Sequence, residues 1–135
     1  MLSASEAFSG FSVSDAEAAR SFYTETLGLS AEDSSWGMFT LKLAGGHDVL
    51  VYPSPQHRAA SYTVLNFPVP DIEAAVDELT ARGVVFATYD GPEMRTDERG
   101  IMRQGGPLIA WFTDPSGNTL SVIDQIPTPP RGVPS

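Results

Sequence analysis

A segment of 14 residues occurs twice in this chain, at 11–24 and again at 67–80. Seven of the 14 aligned pairs are identical, namely Phe11/Phe67, Val13/Val69, Asp15/Asp71, Glu17/Glu73, Ala18/Ala74, Ala19/Ala75 and Thr24/Thr80. A repeated unit restricts the fold before helix or strand propensity is considered, because each copy is expected to adopt the same supersecondary structure. Two copies of one module commonly share a cleft, so the repeat also predicts where a site would lie.

The composition excludes several classes of function. The 135 residues are 41% hydrophobic and 19% charged, which is typical of one globular domain. The absence of cysteine excludes disulfides, thiolate metal ligands and cysteine nucleophiles. A net charge of −9 repels phosphate backbones, so no nucleic-acid partner is expected. We interpret this charge as favouring solubility, with an electronegative pocket for a cationic ligand as the alternative.

No segment has the pattern of a membrane or export signal. The first residues lack a basic stretch followed by an apolar run, which argues against a signal peptide. No apolar run approaches the ~20 residues that span a bilayer. We therefore expect a cytoplasmic protein with no membrane partner.

The first copy begins a predicted strand–helix unit. A strand is predicted at 7–13, and the spacing of Ser14 and Glu17 is that of a capping box, so the helix is expected to begin there. Gly28 occupies the left-handed position expected after the last helical turn. Two further strands are predicted at 36–43 and 49–52, joined by a hairpin turn at 44–48.

The second copy repeats this plan. A strand is predicted at 62–69, a helix from Asp71 to Gly83, and a strand from Val84 onward. Glycine, proline and charged residues between 90 and 107 predict a long exposed loop. The last two strands are predicted at 108–113 and 119–123, with a tight turn at 114–118.

The order of elements predicts an α+β fold in which two paired β-α-β-β-β modules form a curved, cup-like mixed sheet. A single domain is expected at 1–126, with module one at about 6–56 and module two at about 60–126, followed by an extended or disordered proline-rich tail at 127–135. The two-residue period of strands predicts which side chains pack on the helices: Phe11, Val13, Leu65, Phe67, Val69, Leu120 and Val122. The concave face should carry the alternate residues Phe8, Gly10, Ser12, Val64, Asn66, Thr119 and Ser121.

These motifs resemble those of the vicinal oxygen chelate superfamily, also called the glyoxalase/bleomycin-resistance/dioxygenase family. The resemblance lies in segments 11–15 and 21–29, in the second copy at 65–83, and in the turn sequence at 112–118. It implies the paired-module cup described above, often completed by dimerisation. Members of this family include lyases, isomerases, dioxygenases, transferases and drug-binding proteins, so the resemblance leaves the activity open.

Enzymes of that family bind a divalent metal through His and Glu side chains of both modules. The resemblance places the corresponding positions of this chain at Phe8, Val64, Ser121 and the segment 50–52. None of these positions has a carboxylate or imidazole group, and a metal needs several such ligands together. The resemblance therefore implies no metal and no other cofactor, unless a divalent metal site has moved to involve His47 or His57.

The two histidines are the other candidates for chemistry. His47 lies in a predicted turn, where an exposed side chain is the expected interpretation. His57 lies in the connection between the modules, near the mouth of the predicted cup. A loop histidine with no role is the favoured interpretation, and a catalytic acid/base or a hydrogen bond to a ligand is the alternative.

Several large or polar side chains are candidate ligand contacts: Phe8, Trp36, Met38, Tyr52, Val64, Asn66, Trp111 and Ser121. Core packing explains aromatic residues by default, and local hydrogen bonds would satisfy the polar pair. In a cup without a metal, the same side chains would form the wall of a pocket and stack on an aromatic or cationic ligand.

The predicted loop contains a cluster of basic residues. Arg95, Arg99 and Arg103 lie close in sequence to Asp97 and Glu98. Local ion pairs are the expected interpretation, and a lid that closes over an anionic group is the alternative.

These observations favour a small-molecule-binding protein without the usual metal ligands, acting by drug or metabolite sequestration and assembled as a homodimer. The alternative is a lyase, isomerase or dioxygenase that uses a displaced metal or acid/base chemistry at His57. A third interpretation is an interaction module that binds another protein through an exposed apolar patch.

Overall fold

The computed structural model describes residues 1–125, and within them each copy of the repeat forms a strand followed by a helix. The elements are β1 (Ser9–Val13), α1 (Ala16–Ser21), β2 (Ser30–Asp33), β3 (Phe39–Lys42), β4 (Asp48–Pro53), β5 (Thr63–Val69), α2 (Ile72–Ala81), β6 (Ile101–Met102), β7 (Ile109–Thr113) and β8 (Thr119–Asp124). The strands form two four-stranded sheets, in the orders β1-β4-β3-β2 and β5-β8-β7-β6. The α+β fold with two β-α-β-β-β modules is thus confirmed.

The first sheet is mixed and has one buried face. Strand β1 pairs parallel to β4, and β3 pairs antiparallel to both β4 and β2. Alternate side chains of these strands are 9% exposed or less: Phe11, Val13, Phe39, Leu41, Val49 and Val51. The ring of Phe11 lies 5.9 Å from that of Tyr23, which follows helix α1. Each fully buried aliphatic side chain in such a core stabilises the fold by about 1.5–3 kcal/mol.

The second sheet has a core of its own. Its buried side chains come from α2, from the segment that follows it and from the strands: Ile72, Val76, Val84, Ile101, Ala110, Phe112, Leu120 and Val122. Of the residues predicted to face the helices, Leu120 and Val122 are buried, whereas Leu65, Phe67 and Val69 on strand β5 are half-buried.

The chain forms two compact units whose boundaries do not coincide with the repeat. The first unit contains Met1–Val64 together with Thr113–Thr119, and the second contains Leu65–Phe112 and the chain from Leu120 onward. The turn between β7 and β8 therefore belongs to the unit built by the first module.

Both helices begin at an aspartate. Asp15 accepts a hydrogen bond from the backbone N–H of Ala18, and Asp71 accepts from those of Glu73 and Ala74. The predicted capping box at Ser14 is wrong, because the Ser14 hydroxyl donates to Ser116 instead. Asp15 takes its place, as an N-cap carboxylate satisfies the free N–H groups equally well.

The ends of the helices follow the prediction. Helix α1 widens into a π-helical turn at Phe22–Thr26. Gly28 then has a φ of 74°, and Gly83 after α2 has a φ of 95°. These left-handed conformations favour glycine because it has no Cβ.

Three strand predictions need correction. Strand β3 begins at Phe39 rather than at Trp36, because residues Ser35–Gly37 form a 3-10 turn in which Trp36 has a φ of 60°. Strand β2 was not predicted separately. The strand expected from Val84 is reduced to a single bridge between Phe86 and Phe112.

The edge of the second sheet is formed instead by β6, within the predicted loop at 90–107. Its residue Ile101 is fully buried and pairs with Ala110. An edge position needs only one neighbouring strand, so a short apolar segment of the loop can occupy it.

The tail at 127–135 lies outside the described residues. No helix among residues 1–125 has the length and hydropathy needed to cross a membrane.

Candidate functional site

The face of the first sheet that lies opposite the buried one carries Tyr52, one of the candidate ligand contacts. We call it the Tyr52 face, and it is formed by Gly10, Ser12, Thr40, Leu50 and Tyr52. In the strand register Ser12 lies beside Tyr52, and Leu50 lies between Gly10 and Thr40. The Tyr52 side chain is 38% exposed. A Cβ at Gly10 would lie 3.2 Å from the Leu50 carbonyl oxygen, so glycine leaves this part of the face free of side chains.

The other candidates of the first module lie outside its strands, in the segments that precede β1 and β3. Phe8 precedes β1 and is 68% exposed, and Met38 precedes β3 and is half-buried. Trp36 is 86% exposed and lies in the 3-10 turn, not on a strand. A positive φ at a non-glycine residue costs about 1–3 kcal/mol and is found at ligand-binding segments more often than elsewhere.

The candidates of the second module share one face of the second sheet, which we call the Trp111 face. The buried Ser121 hydroxyl donates a hydrogen bond of 2.6 Å to the side-chain oxygen of Asn66. The hydrogen bond from Asp124 N to Leu108 O sets the antiparallel register in which Trp111 lies opposite Ser121. Val64 is half-buried two residues before Asn66, so its side chain lies on this face too.

An aromatic pair extends the Trp111 face. The rings of Trp111 and Tyr89 are 6.0 Å apart with an interplanar angle of 87°, an edge-to-face arrangement. Trp111 is half-buried and Tyr89 is 40% exposed. The face therefore combines an aromatic surface with one hydrogen-bonded hydroxyl and amide. Sequence reasoning missed Tyr89, which follows the segment predicted as a strand.

His57 is hydrogen-bonded through both ring nitrogens. Its Nδ1 lies 2.7 Å from the Ser12 hydroxyl, and its Nε2 lies 3.0 Å from the Ser116 carbonyl oxygen. A carbonyl oxygen only accepts, so Nε2 carries a proton. In the neutral ring, Nδ1 then accepts from the Ser12 O–H group. His57 lies in the connection after β4, and these two hydrogen bonds hold its ring against Ser12 of β1 and against Ser116.

Ser116 belongs to a turn at 114–118 that is held against the first module. Asp114 and Asn118 are both buried. Asp114 Oδ1 accepts from the backbone N–H groups of Ser116 and Asn118, and the Asn118 side chain donates to the Ser12 carbonyl oxygen. The backbone N–H of Ser14 donates to the Ser116 hydroxyl. The turn sequence was visible in the chain, but its attachment to β1 was not.

Tyr23 completes this attachment. Its hydroxyl donates a hydrogen bond of 2.7 Å to Asp114 Oδ2, and its side chain is fully buried. Burial raises the pKa of Tyr23, and the neighbouring Asp114 carboxylate raises it further. The phenol therefore remains a donor at every physiological pH.

The arginine cluster binds helix α2 as well as its own loop. Arg99 donates to Glu73 Oε1 at 3.0 Å and to Asp77 Oδ1 at 2.6 Å. Arg103 bridges Glu73 and Asp97, at 3.0 Å each. The expectation of purely local ion pairs is wrong for Arg99 and incomplete for Arg103, because the loop folds back so that both guanidiniums reach Glu73 of α2. Arg95 does pair locally, with Asp90 at 3.3 Å.

Asp97 organises the loop between these arginines. Burial raises the pKa of the Asp97 carboxyl, but hydrogen bonds from the Ile101 amide, the Arg103 guanidinium and the Arg99 amide outweigh burial, and the pKa lies below its ordinary value. The carboxylate thus holds the loop as an anion at neutral pH.

Potential metal ligands are scattered. Across residues 1–125 no group of three His, Asp or Glu side chains has the arrangement a metal needs. His47 is exposed in its turn, and Asp48 pairs with Lys42 at 2.8 Å. The absence of a metal or other cofactor stays a prediction, as does the role of each candidate site residue.

Comparison with known proteins places these features in a family. A family model described as the Glyoxalase/Bleomycin resistance protein/Dioxygenase superfamily matches residues 8–122. A comparison with curated proteins finds no match.

Three solved structures illustrate the likeness. A superfamily member from Sphaerobacter thermophilus DSM 20745 is 26% identical, with a TM-score of 0.63 over 88% of this chain and 97% of that one. A glyoxalase family protein from Enterococcus faecalis is 23% identical, with a TM-score of 0.62 over 92% and 100%. TnmS3, an antibiotic-binding protein from Streptomyces sp. CB03234, is 23% identical, with a TM-score of 0.60 over 91% and 98%.

Proposed function

Because the chain belongs to the glyoxalase/bleomycin-resistance/dioxygenase superfamily, we propose that it binds a small organic molecule and sequesters it without a metal. Members of this superfamily that bind ligands and members that transform them share one fold, so the proposal must rest on the residues of this chain.

The observation that carries the proposal is the composition of the Trp111 face. It offers a half-buried indole, a second aromatic ring at Tyr89, and the hydrogen-bonded Asn66 and Ser121 side chains. Small-molecule sites typically combine an apolar or aromatic surface with a few fixed polar groups. The Ser121 hydroxyl uses one lone pair of the Asn66 side-chain oxygen. The second lone pair of that oxygen and the Asn66 N–H₂ group are available for a ligand.

The Tyr52 face supports the same proposal independently. Leu50, Tyr52 and the neighbouring Phe8 give it an apolar and aromatic character, while Gly10 leaves room for a planar group. The net charge of −9 favours a neutral or cationic ligand over an anionic one. We therefore propose an aromatic ligand, with or without a positive charge.

The precedent of TnmS3 supports this class of function. It is described as an antibiotic-binding protein, and the same fold extends over nearly all of both chains. At 23% identity the likeness concerns the fold, so the choice of ligand is argued from the two faces above.

The test uses the two tryptophans of the chain, Trp36 and Trp111. Purified protein is titrated with a panel of planar aromatic compounds, matched in pairs with and without an amine, while tryptophan fluorescence and the melting temperature are recorded. We expect saturable quenching and a rise in melting temperature, with no chemical change of the compound by mass spectrometry.

The variants Trp111→Phe and Trp36→Phe form a matched pair. We expect Trp111→Phe to weaken binding about tenfold, the loss of roughly 1.4 kcal/mol of stacking, and Trp36→Phe to leave it unchanged. Loss of binding only in Trp36→Phe would move the site to the turn before β3. The panel contains no esters, so turnover of a bound compound by the metal-free protein would replace sequestration with catalysis.

We further propose a cytoplasmic homodimer. Completion of a binding site by a second copy is implied by the family resemblance, and sedimentation at micromolar concentration tests it. A single species with the mass of one 14.4 kDa chain would contradict the dimer.

The alternative of a lyase, isomerase or dioxygenase with a displaced metal stays a prediction, which elemental analysis of purified protein tests directly.

A further inference from the structure

We propose that Ser12 and His57 form a nucleophile–base pair that accepts an acyl group from a small activated ester. This inference goes beyond ligand binding, and it does not depend on which compound occupies the Trp111 face. It rests on the 2.7 Å contact between the Ser12 hydroxyl and Nδ1 of His57. A serine hydroxyl is a weak nucleophile unless a base within hydrogen-bond reach takes its proton.

The partners of the ring determine the direction of this hydrogen bond. The Ser116 carbonyl oxygen lies 3.0 Å from Nε2 and accepts, so the single proton of the neutral ring lies on Nε2. Nδ1 therefore has a lone pair directed at the Ser12 hydroxyl. In a nucleophile–base pair a third group orients the base, and here the Ser116 carbonyl has that role.

Both members of the pair are held by the surrounding structure. The Ser12 carbonyl oxygen accepts from the Asn118 side chain, and the His57 backbone N–H donates to the Ser54 carbonyl oxygen at 3.1 Å. Ser116 lies in the turn fixed by Asp114. A geometry supported from several directions is what a pair of reacting groups requires.

The pair lies where a substrate can approach. Ser12 is on the Tyr52 face, and both Ser12 and His57 are half-buried, neither enclosed nor fully exposed. Tyr52 is the neighbour of Ser12 across the parallel strands. An aromatic surface beside the hydroxyl fits an ester with an apolar or aromatic group.

The chemical step is an acyl transfer. The Ser12 oxygen attacks the ester carbonyl carbon as its proton passes to Nδ1 of His57, the bond to the leaving alcohol breaks, and that alcohol takes the proton from Nδ1. The product is an acyl ester of Ser12 and one free alcohol. Water then attacks the acyl carbon by the same route, releasing a carboxylic acid and restoring the hydroxyl.

The test is acetylation by p-nitrophenyl acetate, followed by release of p-nitrophenolate and by peptide mass spectrometry. We expect an acetyl group on Ser12, formed roughly 10²-fold more slowly in His57→Gln because the amide offers no base. Glutamine retains an N–H donor for the Ser116 carbonyl. Ser61→Ala, which removes an exposed serine, is the matched control and is expected to react normally.

A second measurement does not depend on the stability of the histidine variant. The chain has no cysteine, so Ser12→Cys and Ser61→Cys each introduce a single thiol, and a base beside position 12 should make its thiol react faster with iodoacetamide at neutral pH. Acetylation confined to Lys42 or the amino terminus would overturn the proposal. So would equal acetylation rates at Ser12 with and without His57, or a thiol at position 12 that reacts no faster than one at position 61.

Discussion

Tyr23 donates a hydrogen bond of 2.7 Å to Asp114, which lies 91 residues further along the chain. The contact joins the end of the first helical segment to the turn between the last two strands. Because both residues are buried, water cannot replace either partner in this hydrogen bond. This hydrogen bond helps to hold the turn at 114–118 in place, and the same turn positions Ser116 beside His57.

Replacing Tyr23 by phenylalanine keeps the ring and removes only the donor. Asp114 Oδ2 then retains a single partner, the Asn118 side chain. We expect Tyr23→Phe to lower the free energy of unfolding by about 1.5–3 kcal/mol, the contribution of a hydrogen bond to a charged group. Urea denaturation measures this loss. Tyr62→Phe, at a position 70% exposed, is the control and should change stability little.

The Asp97 carboxyl gives stability a component that depends on pH. Its pKa is lowered in the folded protein, so its contribution is complete above the unfolded pKa and is lost as the pH falls through the folded one. We expect wild type to melt at a higher temperature than Asp97→Asn at pH 6, and the difference to shrink below about pH 4. A difference that stays constant down to pH 2.5 would contradict this assignment. Asp90→Asn, whose side chain is 90% exposed, provides the comparison.

Arg99 holds the loop to helix α2 through several donors. Its guanidinium bonds the Glu73 carboxylate, the Glu73 carbonyl oxygen and Asp77. A single exposed ion pair contributes little to stability, but a network of several bonds can order a segment. We therefore expect Arg99→Ala to increase amide hydrogen exchange at 97–103 about tenfold or more. Arg95→Ala, which removes one exposed ion pair, should leave the exchange unchanged.

Arg99→Lys provides a further comparison at the same position. A lysine retains the charge but lacks the planar fork that reaches two acceptors at once. Exchange in this variant should approach that of Arg99→Ala. Protection equal to wild type would mean that charge alone orders the loop.

Gly100 is required for two separable reasons. Its φ is 91°, and a Cβ there would lie 2.8 Å from the Phe86 Cβ and 3.0 Å from the Ala87 carbonyl oxygen. Gly46 also has a positive φ, 79°, but a Cβ there would have no neighbour within 4 Å. Gly46→Ala should therefore cost only the conformational strain, roughly 1 kcal/mol. Gly100→Ala should cost about 1–3 kcal/mol more because of overpacking, and equal losses by thermal unfolding would refute the contact.

The repeat explains why so much of the fold could be predicted. Asp15 and Asp71 are equivalent positions of the two copies, and both cap a helix. The alternation of apolar residues identified Phe11 and Val13 as buried. These features are local, because they depend on neighbours in sequence and on the period of a strand or helix.

The errors arose where distant contacts override local preference. Ser14 had the pattern of an N-cap, but its hydroxyl is used by Ser116, 102 residues away. Val84 begins an apolar run, yet the edge of the second sheet is taken by Ile101. Arg99 lies next to acidic residues in sequence but bonds Glu73 and Asp77 of α2.

The candidate site shows the same division. Strand periodicity placed Asn66 and Ser121 on one face, where they form a hydrogen bond. It could not reveal that Ser12, an unremarkable residue of β1, lies beside His57. That contact depends on the path of the connection after β4 and on the turn that supplies the Ser116 carbonyl.

The grouping of Thr113–Thr119 with Met1–Val64 has a consequence for the order of folding. As the chain leaves the ribosome, the first module is complete in sequence long before the segment that satisfies the Tyr23 hydroxyl and the Ser12 carbonyl has been synthesised. Contacts of such long sequence separation form slowly, since the intervening chain must first be ordered. The first unit is therefore completed only after Thr113–Thr119 has been synthesised.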